Sequence, residues 1–271
     1  LFRDFLIGST GFFRDPEVFA VLQDKVLPPL FESLGDGEDF RAWIPACSTG
    51  EEAYTVAMLL WELRDAAPAR PGIQLFATDI DKHAIEKARE GGYPAGIADD
   101  VSAQRLERHF VQEGESFRVR KEIRDCVVFS VQDVLRQPPF SRLHLLCCRN
   151  LLIYLESEAQ KKLLPLFHYT LRPDGILVLG SSETIGGATV LFKAVDNRWK
   201  IFRRREVLPA LRQPIQFPTG SAAETAPAGN RGTDAASARA EVQSLVRNVV
   251  LHRFSPTAVL LSTDGRMLYV E

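Results

Sequence analysis

Apolar and polar positions follow two different rhythms along the chain. Short runs that are almost continuously apolar or β-branched lie at residues 40–44, 73–78, 126–130, 143–147 and 175–180. Runs of this length without a polar face are typical of strands that are covered on both sides of a parallel sheet. The pattern therefore predicts a layered α/β core.

Between several of these runs, apolar residues recur at helical spacing. The spacing predicts helices over residues 53–65, 82–90 and 156–171, the last with a kink at Pro165. Strands that alternate with helices imply right-handed crossovers and a mainly parallel sheet. In such a sheet, ligands bind beyond the carboxyl ends of the strands.

Two segments depart from this alternation. Residues 189–194 and 199–203 predict an antiparallel hairpin at one edge of the sheet. Residues 92–125 combine a helix at 102–110 with a strand-like pattern at 116–123, so we expect a small subdomain inserted between two core strands. Such an insertion either contacts a macromolecular partner or only shapes access to the site.

Composition narrows the class of protein. A net charge of -2 in 271 residues argues against a nucleic-acid-binding domain, which usually carries a basic excess. No apolar run reaches the roughly 18 residues of a membrane span, so we expect a soluble cytoplasmic protein without membrane insertion. The cysteines lack CxxC spacing and lie in or beside apolar runs, which predicts buried free thiols and no metal: Cys47, Cys126, Cys147 and Cys148.

Small residues fill the turn after the first predicted strand. Residues 46–50, Ala-Cys-Ser-Thr-Gly, allow a ligand to approach the backbone closely, although they are not the GxGxxG fingerprint. Asp79 ends the second strand with Asp81 nearby, where a carboxylate can accept hydrogen bonds from both hydroxyls of a ribose. A capping box of Ser48 with Glu51 explains the same turn without a ligand, and both interpretations stay open on this pattern alone.

Four motifs together resemble the CheR family, the S-adenosylmethionine-dependent methyltransferases that esterify glutamates of bacterial chemoreceptors. They are Thr-Gly-Phe-Phe-Arg at 10–14, Ala-Cys-Ser-Thr-Gly-Glu-Glu at 46–52, Ala-Thr-Asp-Ile-Asp at 77–81 and Cys-Arg-Asn-Leu-Leu-Ile-Tyr at 148–154. They occur in the family's order over about residues 1–205. The resemblance implies a doubly wound, mainly parallel seven-stranded Rossmann-like sheet with a small inserted β-subdomain.

The resemblance also implies which residues hold S-adenosylmethionine and its product S-adenosylhomocysteine. Thr10 and Arg14 would reach the methionine end, where Arg14 suits the carboxylate. Glu51 would face the methionine ammonium, and Ala46 would line the cofactor in the turn. Asp79 would take the ribose hydroxyls.

The remaining site residues follow later strands. Asp133 stands where the family has an adenine-contacting Asn, and Asn150 follows the next strand. Tyr154 matches the family's active-site tyrosine, so Tyr154 and Arg14 are the predicted catalytic residues; a core aromatic at a helix start is the alternative for Tyr154. Gly8 stands where the family often has a cofactor-contacting Asn.

The domain organisation expected from the sequence has four parts. They are a remnant of an N-terminal region with a lead-in helix at 1–39, a methyltransferase domain at 40–205 with its insertion at about 92–125, a flexible linker at 206–240, and the truncated start of a PAS-like domain at 241–271. A stray hairpin that packs on the main domain is the alternative for the last part.

These expectations favour an enzyme that methylates glutamate carboxylates of chemoreceptors. The protein substrate would be the cytoplasmic receptor helices, without pentapeptide tethering, because the insertion lacks a glycine-rich loop around Gly114. The alternative is a non-catalytic module that senses S-adenosylmethionine or acts as a scaffold in a signalling fusion. Gly8, Asp133 and the PAS-like end motivate this second hypothesis.

Overall fold

A seven-stranded sheet forms the core of the part of the chain that the computed structural model describes. The described residues are 10–35, 37–68 and 70–207, with the backbone of 259–261 and 267–270. The first ten strands, in chain order, are β1 Phe40–Pro45, β2 Ile73–Asp79, β3 Gly92–Pro94, β4 Phe110–Glu113, β5 Ser116–Val119, β6 Val127–Val131, β7 Leu143–Cys148, β8 Leu171–Leu179, β9 Phe192–Asp196 and β10 Ile201–Arg204.

Helices connect most of the strands. They are α1 Pro16–Val21 and α2 Leu27–Glu32, joined by a π-helical turn Leu22–Val26, then α3 Glu51–Ala66, α4 Lys82–Glu90, α5 Ala103–His109, α6 Lys121–Asp125 and α7 Ser157–Thr170. None of the helices among the described residues combines the length and apolar character that a membrane crossing requires.

The order of strands in the main sheet is β6-β2-β1-β7-β8-β10-β9. The pairs from β6 to β8 are parallel, whereas β10 pairs antiparallel with both β8 and β9. The chain winds outward from β1 in one direction and later from β7 in the other, so the winding direction changes between these two neighbours. The predicted doubly wound, mainly parallel seven-stranded sheet is confirmed, and its switch point lies between β1 and β7.

Both faces of the sheet are buried, which explains the continuous apolar runs. Successive strand residues point to opposite faces, and Leu145 and Cys147 of β7 join the cluster that contains Met58 of α3. Their neighbours Leu146 and Cys148 join the cluster that contains Phe167 of α7. A strand that is covered on both sides has no polar face.

A second, three-stranded antiparallel sheet forms within the inserted segment, in the order β3-β5-β4. Its turn between β4 and β5 contains Gly114 with φ +62°, a conformation that suits glycine. Tyr93 of β3 and Phe110 of β4 pack edge-on against Phe12, with ring centroids 4.8 and 5.5 Å away. The small sheet therefore buries part of the first motif of the chain.

The boundaries of several predicted elements need correction. The strand expected over 116–123 ends at Val119, and α6 follows, because the consecutive charges of residues 120–122 break the alternation and a helical turn buries Ile123. The first strand of the edge hairpin runs from Phe192 to Asp196, after a 3-10 turn, rather than over 189–194. The predicted helix over 82–90 and the proline inside α7 are confirmed.

The chain divides into two compact units, Leu1–Gln216 and Phe217–Glu271. In the second unit, β11 Val259–Leu261 pairs antiparallel with β12 Met267–Val270. The linker expected from 206 lies outside the described residues beyond Val207. The helix expected over 241–253 lies outside them as well.

One buried hydrogen bond between β1 and β2 allows a direct test of this core. Trp43 Nε1 donates to Thr78 Oγ1 at 3.0 Å, and both residues are almost fully buried. Thr78→Val keeps the shape of the side chain but leaves the indole N–H without its acceptor. The free energy of unfolding, measured by urea titration, is expected to fall by about 1–3 kcal/mol.

Val128→Thr on the neighbouring strand β6 is the matched control. It exchanges the same two types of side chain, but at a position that is half-exposed. This variant is expected to change the free energy of unfolding by less than about 0.5 kcal/mol. Equal unfolding midpoints for Thr78→Val and the wild-type chain would contradict the described packing.

Candidate functional site

The turn that follows β1 is the tightest part of the carboxyl edge of the sheet. Ala46, Ser48 and Gly50 all have left-handed backbone conformations, with φ 56°, 49° and 95°. A Cβ atom on Gly50 would lie 2.9 Å from Ala88 Cβ, so only glycine fits against α4. The Cys47 N–H donates to the Thr78 carbonyl at 3.0 Å, which fixes the turn to β2.

Asp79, the last residue of β2, has a carboxylate that the backbone holds in place. Its Oδ2 accepts from the Ser48 N–H at 2.8 Å, and its Oδ1 accepts from the Asp81 N–H at 2.9 Å. Each carboxylate oxygen has a second acceptor position, so both oxygens can still accept from a ligand. Asp81 instead caps α4 by accepting from the His83 N–H at 2.8 Å.

Glu51 begins α3, but the capping box with Ser48 is not formed. Gly50 is the N-cap of α3 without a side-chain bond, and the Thr49 hydroxyl contacts the Glu51 carboxylate at 2.7 and 2.8 Å. Burial raises the pKa of Glu51, and hydrogen bonds from Thr49 and Thr10 lower it only in part. A poorly solvated carboxylate of this kind favours a cationic partner.

Arg14 lies in a strained loop beside this turn. Its neighbours Phe13 and Asp15 both have left-handed conformations, with φ 49° and 60°, which are costly for residues other than glycine. The Phe13 N–H donates to Thr55 Oγ1 of α3 at 3.1 Å, while the Arg14 side chain is exposed. The structure therefore brings Thr10, Arg14 and Glu51 to one region of the edge.

Arg149 contacts that loop through its buried side chain, a role that the sequence did not predict. Its side chain is 1% exposed and forms ion pairs with Asp15 and, at 3.1 Å, with Glu52. It also donates to the Arg14 carbonyl at 3.0 Å, and its guanidinium carbon lies 5.2 Å from the Phe19 ring centroid. An arginine directly after an otherwise apolar buried strand was the available signal.

Burial and the ion pairs shift the pKa values of Arg149 and Glu52. Burial lowers the pKa of Arg149, but the carboxylates of Glu52 and Asp15 outweigh burial and leave the pKa raised. Burial raises the pKa of Glu52, with Arg149 acting in the opposite direction. The Nε of Arg149 is buried without a hydrogen-bond partner among the described residues.

Glu183 is a second residue that the sequence analysis did not identify. It is 4% exposed and accepts three backbone hydrogen bonds, from Asn150 at 3.1 Å, Leu152 at 2.7 Å and Gly180 at 2.6 Å. Asn150 is left-handed with φ 61°, so its conformation also needs support. The carboxylate thus fixes the turn after β7 against the end of β8.

Tyr154 ends a 3-10 turn, Leu152–Tyr154, on the same edge. Its side chain is 49% exposed, so the alternative of a core aromatic is wrong. Gln160 of α7 donates to the carbonyls of Leu152 and Leu155, both at 3.0 Å, on either side of the tyrosine. The turn is therefore fixed while the ring stays accessible.

Asp133 follows β6, and its carboxylate stabilises the turn in which it lies. Its Oδ1 accepts from the Leu135 N–H at 2.9 Å, and its Oδ2 lies 3.5 Å from Arg136 Nε. The exposed side chains of Ile80 and Val131 flank the ends of β2 and β6 and add apolar surface to this part of the edge. An adenine contact at Asp133 stays a prediction.

His144 lies at the start of β7, at the opposite end of the strand from the candidate site. Its Nδ1 accepts from the Arg41 N–H at 3.0 Å, and burial lowers its pKa to about 4, so the ring is neutral and has a structural role. Cys47, Cys147 and Cys148 are buried free thiols, as predicted, whereas Cys126 is only half-buried. Burial raises the pKa of the buried thiols and makes them poor nucleophiles.

Two large concavities lie outside the candidate site. One, of about 960 Å³, runs beside α7, and the other, of about 690 Å³, lies near Pro28, Phe31 and Gly72. None of the eight predicted site residues lines either concavity. We place the candidate site at the carboxyl edge because its fixed carboxylates and the switch point favour a polar ligand there, whereas volume alone carries no chemistry.

Parts of the chain resemble solved structures and curated proteins. The structures include a DszA carbon methyltransferase, at 17% identity over 64% of this chain and 35% of that chain, with a TM-score of 0.38. A TM-score this low carries no functional information. An uncharacterized 104.1 kDa protein of Rhodobacter capsulatus is 41% identical over 74% of this chain and 21% of its own length.

Two further relatives are named chemotaxis protein methyltransferases. That of Pseudomonas aeruginosa, numbered 1, is 34% identical over 66% of this chain, and that of Escherichia coli is 36% identical over 64% of this chain. The chain spans 66% and 60% of these two relatives. It thus corresponds to part of each relative and to about a fifth of the Rhodobacter protein.

The family comparison covers most of the described residues. The model described as the CheR methyltransferase SAM-binding domain matches residues 8–201, a span that includes the turn after β1, Asp79, Asn150 and Tyr154. The cofactor expected from the sequence, S-adenosylmethionine, is the one in this description. Together with the doubly wound sheet, this match shows that the chain belongs to the CheR methyltransferase family.

Proposed function

We propose that this chain is the methyltransferase part of a protein-glutamate O-methyltransferase that acts on cytoplasmic helices of bacterial chemoreceptors. The observation that carries the proposal is the gathering of Thr10, Glu51, Asp79 and Asn150 at the carboxyl edge, beside the switch point of the sheet. Family membership and the relatives named chemotaxis methyltransferases support it. The receptor would bind without a pentapeptide tether, because the β4–β5 turn is short.

The division of the longer chain is part of the same proposal. Residues 40–205 would form the methyltransferase domain, with residues 1–39 leading into it and 92–125 inserted. Residues 206–240 would connect it to a PAS-like start at 241–271. The β11–β12 hairpin is the support for the last part.

The residues of the edge fit S-adenosylmethionine. The free acceptor positions of Asp79 match the two ribose hydroxyls, because the Ser48 and Asp81 N–H groups occupy only one position on each oxygen. Glu51 would pair with the methionine ammonium beside Thr10, and Arg14 would bind the methionine carboxylate. These contacts would leave the sulfonium between the turn after β1 and the loop of the first motif.

The other end of the edge would hold the adenine. Asp133 retains acceptor positions that suit the adenine amino group, although a carboxylate lacks the donor of an amide. Ala46 would line the cofactor in the turn after β1, and Asn150 would contact the cofactor from the end of β7. Ile80 and Val131 supply exposed apolar surface beside them.

The reaction needs positioning more than acid-base chemistry. The cofactor supplies an electrophilic methyl carbon: a carboxylate oxygen of the substrate forms the new C–O bond while the C–S bond breaks and its electron pair stays on sulfur. A glutamate with an ordinary pKa of about 4.3 is already an anion near pH 7, so no general base is required. Tyr154, accessible on a fixed turn, would orient this carboxylate, and correct alignment alone can supply several kcal/mol of the barrier.

Methyl-ester formation tests the proposal directly. The chain is mixed with labelled S-adenosylmethionine and chemoreceptor cytoplasmic fragments, and base-labile label is counted on the fragment. Transfer to glutamates is expected, and Tyr154→Phe is expected to lower kcat without changing the affinity for S-adenosylhomocysteine. Tight cofactor binding without transfer to any of several receptors would favour the alternative, a sensing or scaffold module.

A substitution at Asp79 tests the ribose assignment. Asp79→Ala is expected to weaken binding of S-adenosylhomocysteine at least about tenfold by calorimetry, because each hydrogen bond to a charged group contributes about 1.5–3 kcal/mol. Asp81→Asn is the control, since Asn also caps helices well and Asp81 serves α4. Unchanged affinity in folded Asp79→Ala would refute the assignment.

The raised pKa of Glu51 predicts how binding depends on pH. As pH falls through this pKa, which lies above the ordinary 4.5, Glu51 becomes neutral and can no longer pair with the methionine ammonium. As the pH is lowered, the affinity for S-adenosylhomocysteine is therefore expected to begin to fall while the pH is still above 4.5. For the free chain the sign is opposite, since a raised carboxyl pKa adds stability as pH falls.

Glu51→Gln is the control for this pH dependence. It is expected to bind S-adenosylhomocysteine more weakly near neutral pH and to show no decline over the same interval. Calorimetric titrations of both proteins across the pH series give the comparison. An identical decline in Glu51→Gln would show that another group is responsible.

Arg149 generates a prediction for stability and binding together. Arg149→Met leaves the buried Glu52 and the loop residue Asp15 without their cation, and breaking a buried pair typically costs about 3–5 kcal/mol. A much lower melting temperature is expected for Arg149→Met. Arg149→Lys keeps the charge but not the forked guanidinium, so it should melt between Arg149→Met and the wild-type chain and bind S-adenosylhomocysteine weakly. Arg118→Met, which removes an exposed pair with Glu113, should melt like the wild-type chain. Equal melting temperatures for Arg149→Met and Arg118→Met would refute the role of Arg149.

A further inference from the structure

The concavity of about 960 Å³ beside α7 is a groove that no part of the proposed methyl transfer uses. We call it the α7 groove. Its walls are α7, the segment 184–191 that follows the end of β8, and the start of β8 at Leu171 and Arg172. It therefore runs from the carboxyl edge of the sheet toward the opposite edge.

One end of the α7 groove is built on the turn that carries Tyr154. Gln160 lines the groove and also donates to the carbonyls of Leu152 and Leu155, on either side of the tyrosine. Thr184 lines the groove and directly follows Glu183, which accepts from the Leu152 N–H. A segment that leaves the groove at this end meets the turn of Tyr154.

The floor of the α7 groove is apolar. Leu164 and Pro165 line it, and Tyr169 and Val190 border it with 51% and 67% of their surfaces exposed. Exposed apolar side chains that lie together in a concave surface are typical of a binding groove rather than of isolated surface residues.

The charged residues of the α7 groove are mostly basic. Arg142, Lys161, Arg172 and Arg204 line it, against the carboxylate of Glu38. Glu38 is paired with Arg172 at 2.7 Å. Lys161 reaches Glu158 at 2.7 Å, but this pair is exposed on both sides and is worth little. The groove thus carries a basic excess in a chain whose net charge is -2.

We infer that the α7 groove binds an acidic, amphipathic helix of the protein substrate, next to the glutamate that Tyr154 orients. The inference rests on the proposed function, because a protein that presents glutamates for methylation offers the carboxylates that complement Arg142 and Lys161. The apolar stripe of the helix would cover Tyr169 and Val190. The groove extends along α7, whose 14 residues span about 21 Å, so it matches a substrate helix of about four turns.

A binding experiment with a defined probe tests the groove apart from catalysis. The probe is a fluorescein-labelled synthetic helix of about 18 residues with a leucine stripe flanked by glutamates, and binding to the full chain is followed by anisotropy. The double variant Arg142→Glu with Lys161→Glu is expected to weaken binding at least tenfold. Lys162→Glu with Lys193→Glu makes the same charge change at exposed positions outside the groove and should bind like the wild-type chain.

Methylation kinetics give the second readout. With a chemoreceptor fragment that the wild-type chain methylates, the groove variant is expected to raise KM for the fragment at least tenfold, with kcat and the affinity for S-adenosylhomocysteine unchanged. A purely structural role of these two exposed side chains would not separate the constants in this way. If the wild-type chain methylates nothing, the proposed function fails, but the peptide result still stands for or against the groove.

Three outcomes would overturn the inference. The first is equal probe binding by the groove variant and its charge-matched control. The second is equal binding of a probe with lysines in place of its glutamates, which would show that charge plays no part. The third is unchanged probe binding by folded Tyr169→Ala, which would show that the apolar floor of the groove takes no part in binding.

Discussion

The buried guanidinium of Arg149 is the constraint on which the carboxyl edge depends. It directly follows β7, and it contacts the loop of the first motif through Asp15 and the Arg14 carbonyl and the start of α3 through Glu52. These three segments are far apart in the chain, and the Arg149 side chain contacts all of them. A single side chain with several donors in a rigid fork can satisfy all of them at once, which a lysine cannot.

Around this anchor, the edge keeps its shape by holding unfavourable backbone conformations in place. Phe13, Ala46 and Asn150 are left-handed without being glycine. The N–H groups of Phe13 and Asn150 donate to Thr55 Oγ1 and to the Glu183 carboxylate, and Cys47, which follows Ala46, donates its N–H to the Thr78 carbonyl. Glu183 supplies three of these bonds to the turn after β7 and the end of β8. Strain that is supported in this way keeps polar groups directed at a ligand before the ligand arrives, which lowers the entropic cost of binding.

The sequence predicts the sheet well because burial on both faces leaves a strong local signal, as in β7, which is apolar apart from His144. The limits of α4 are predictable because Asp81 caps its start and Gly91 ends it in a left-handed conformation. The boundary between β5 and α6 is not predictable in this way, since a short alternating pattern also fits a helical turn that buries Ile123. Arg149 and Glu183 escape a local reading because their partners lie up to 135 and 33 positions away and only folding brings them together. The assignment of Glu51 to the cofactor came from the resemblance of motifs, whereas the position of Asp79 at the end of the second strand already indicated a ribose contact. The geometry adds a reason why the Asp79 oxygens can still accept hydrogen bonds from a ligand.

The most direct test of the account is a crystal structure of the chain grown with S-adenosylhomocysteine. The account predicts electron density at the carboxyl edge, with both ribose hydroxyls within hydrogen-bond distance of the Asp79 carboxylate and the amino group beside Glu51. An intact sheet with no ligand at this edge, or with the nucleoside bound elsewhere, would contradict it.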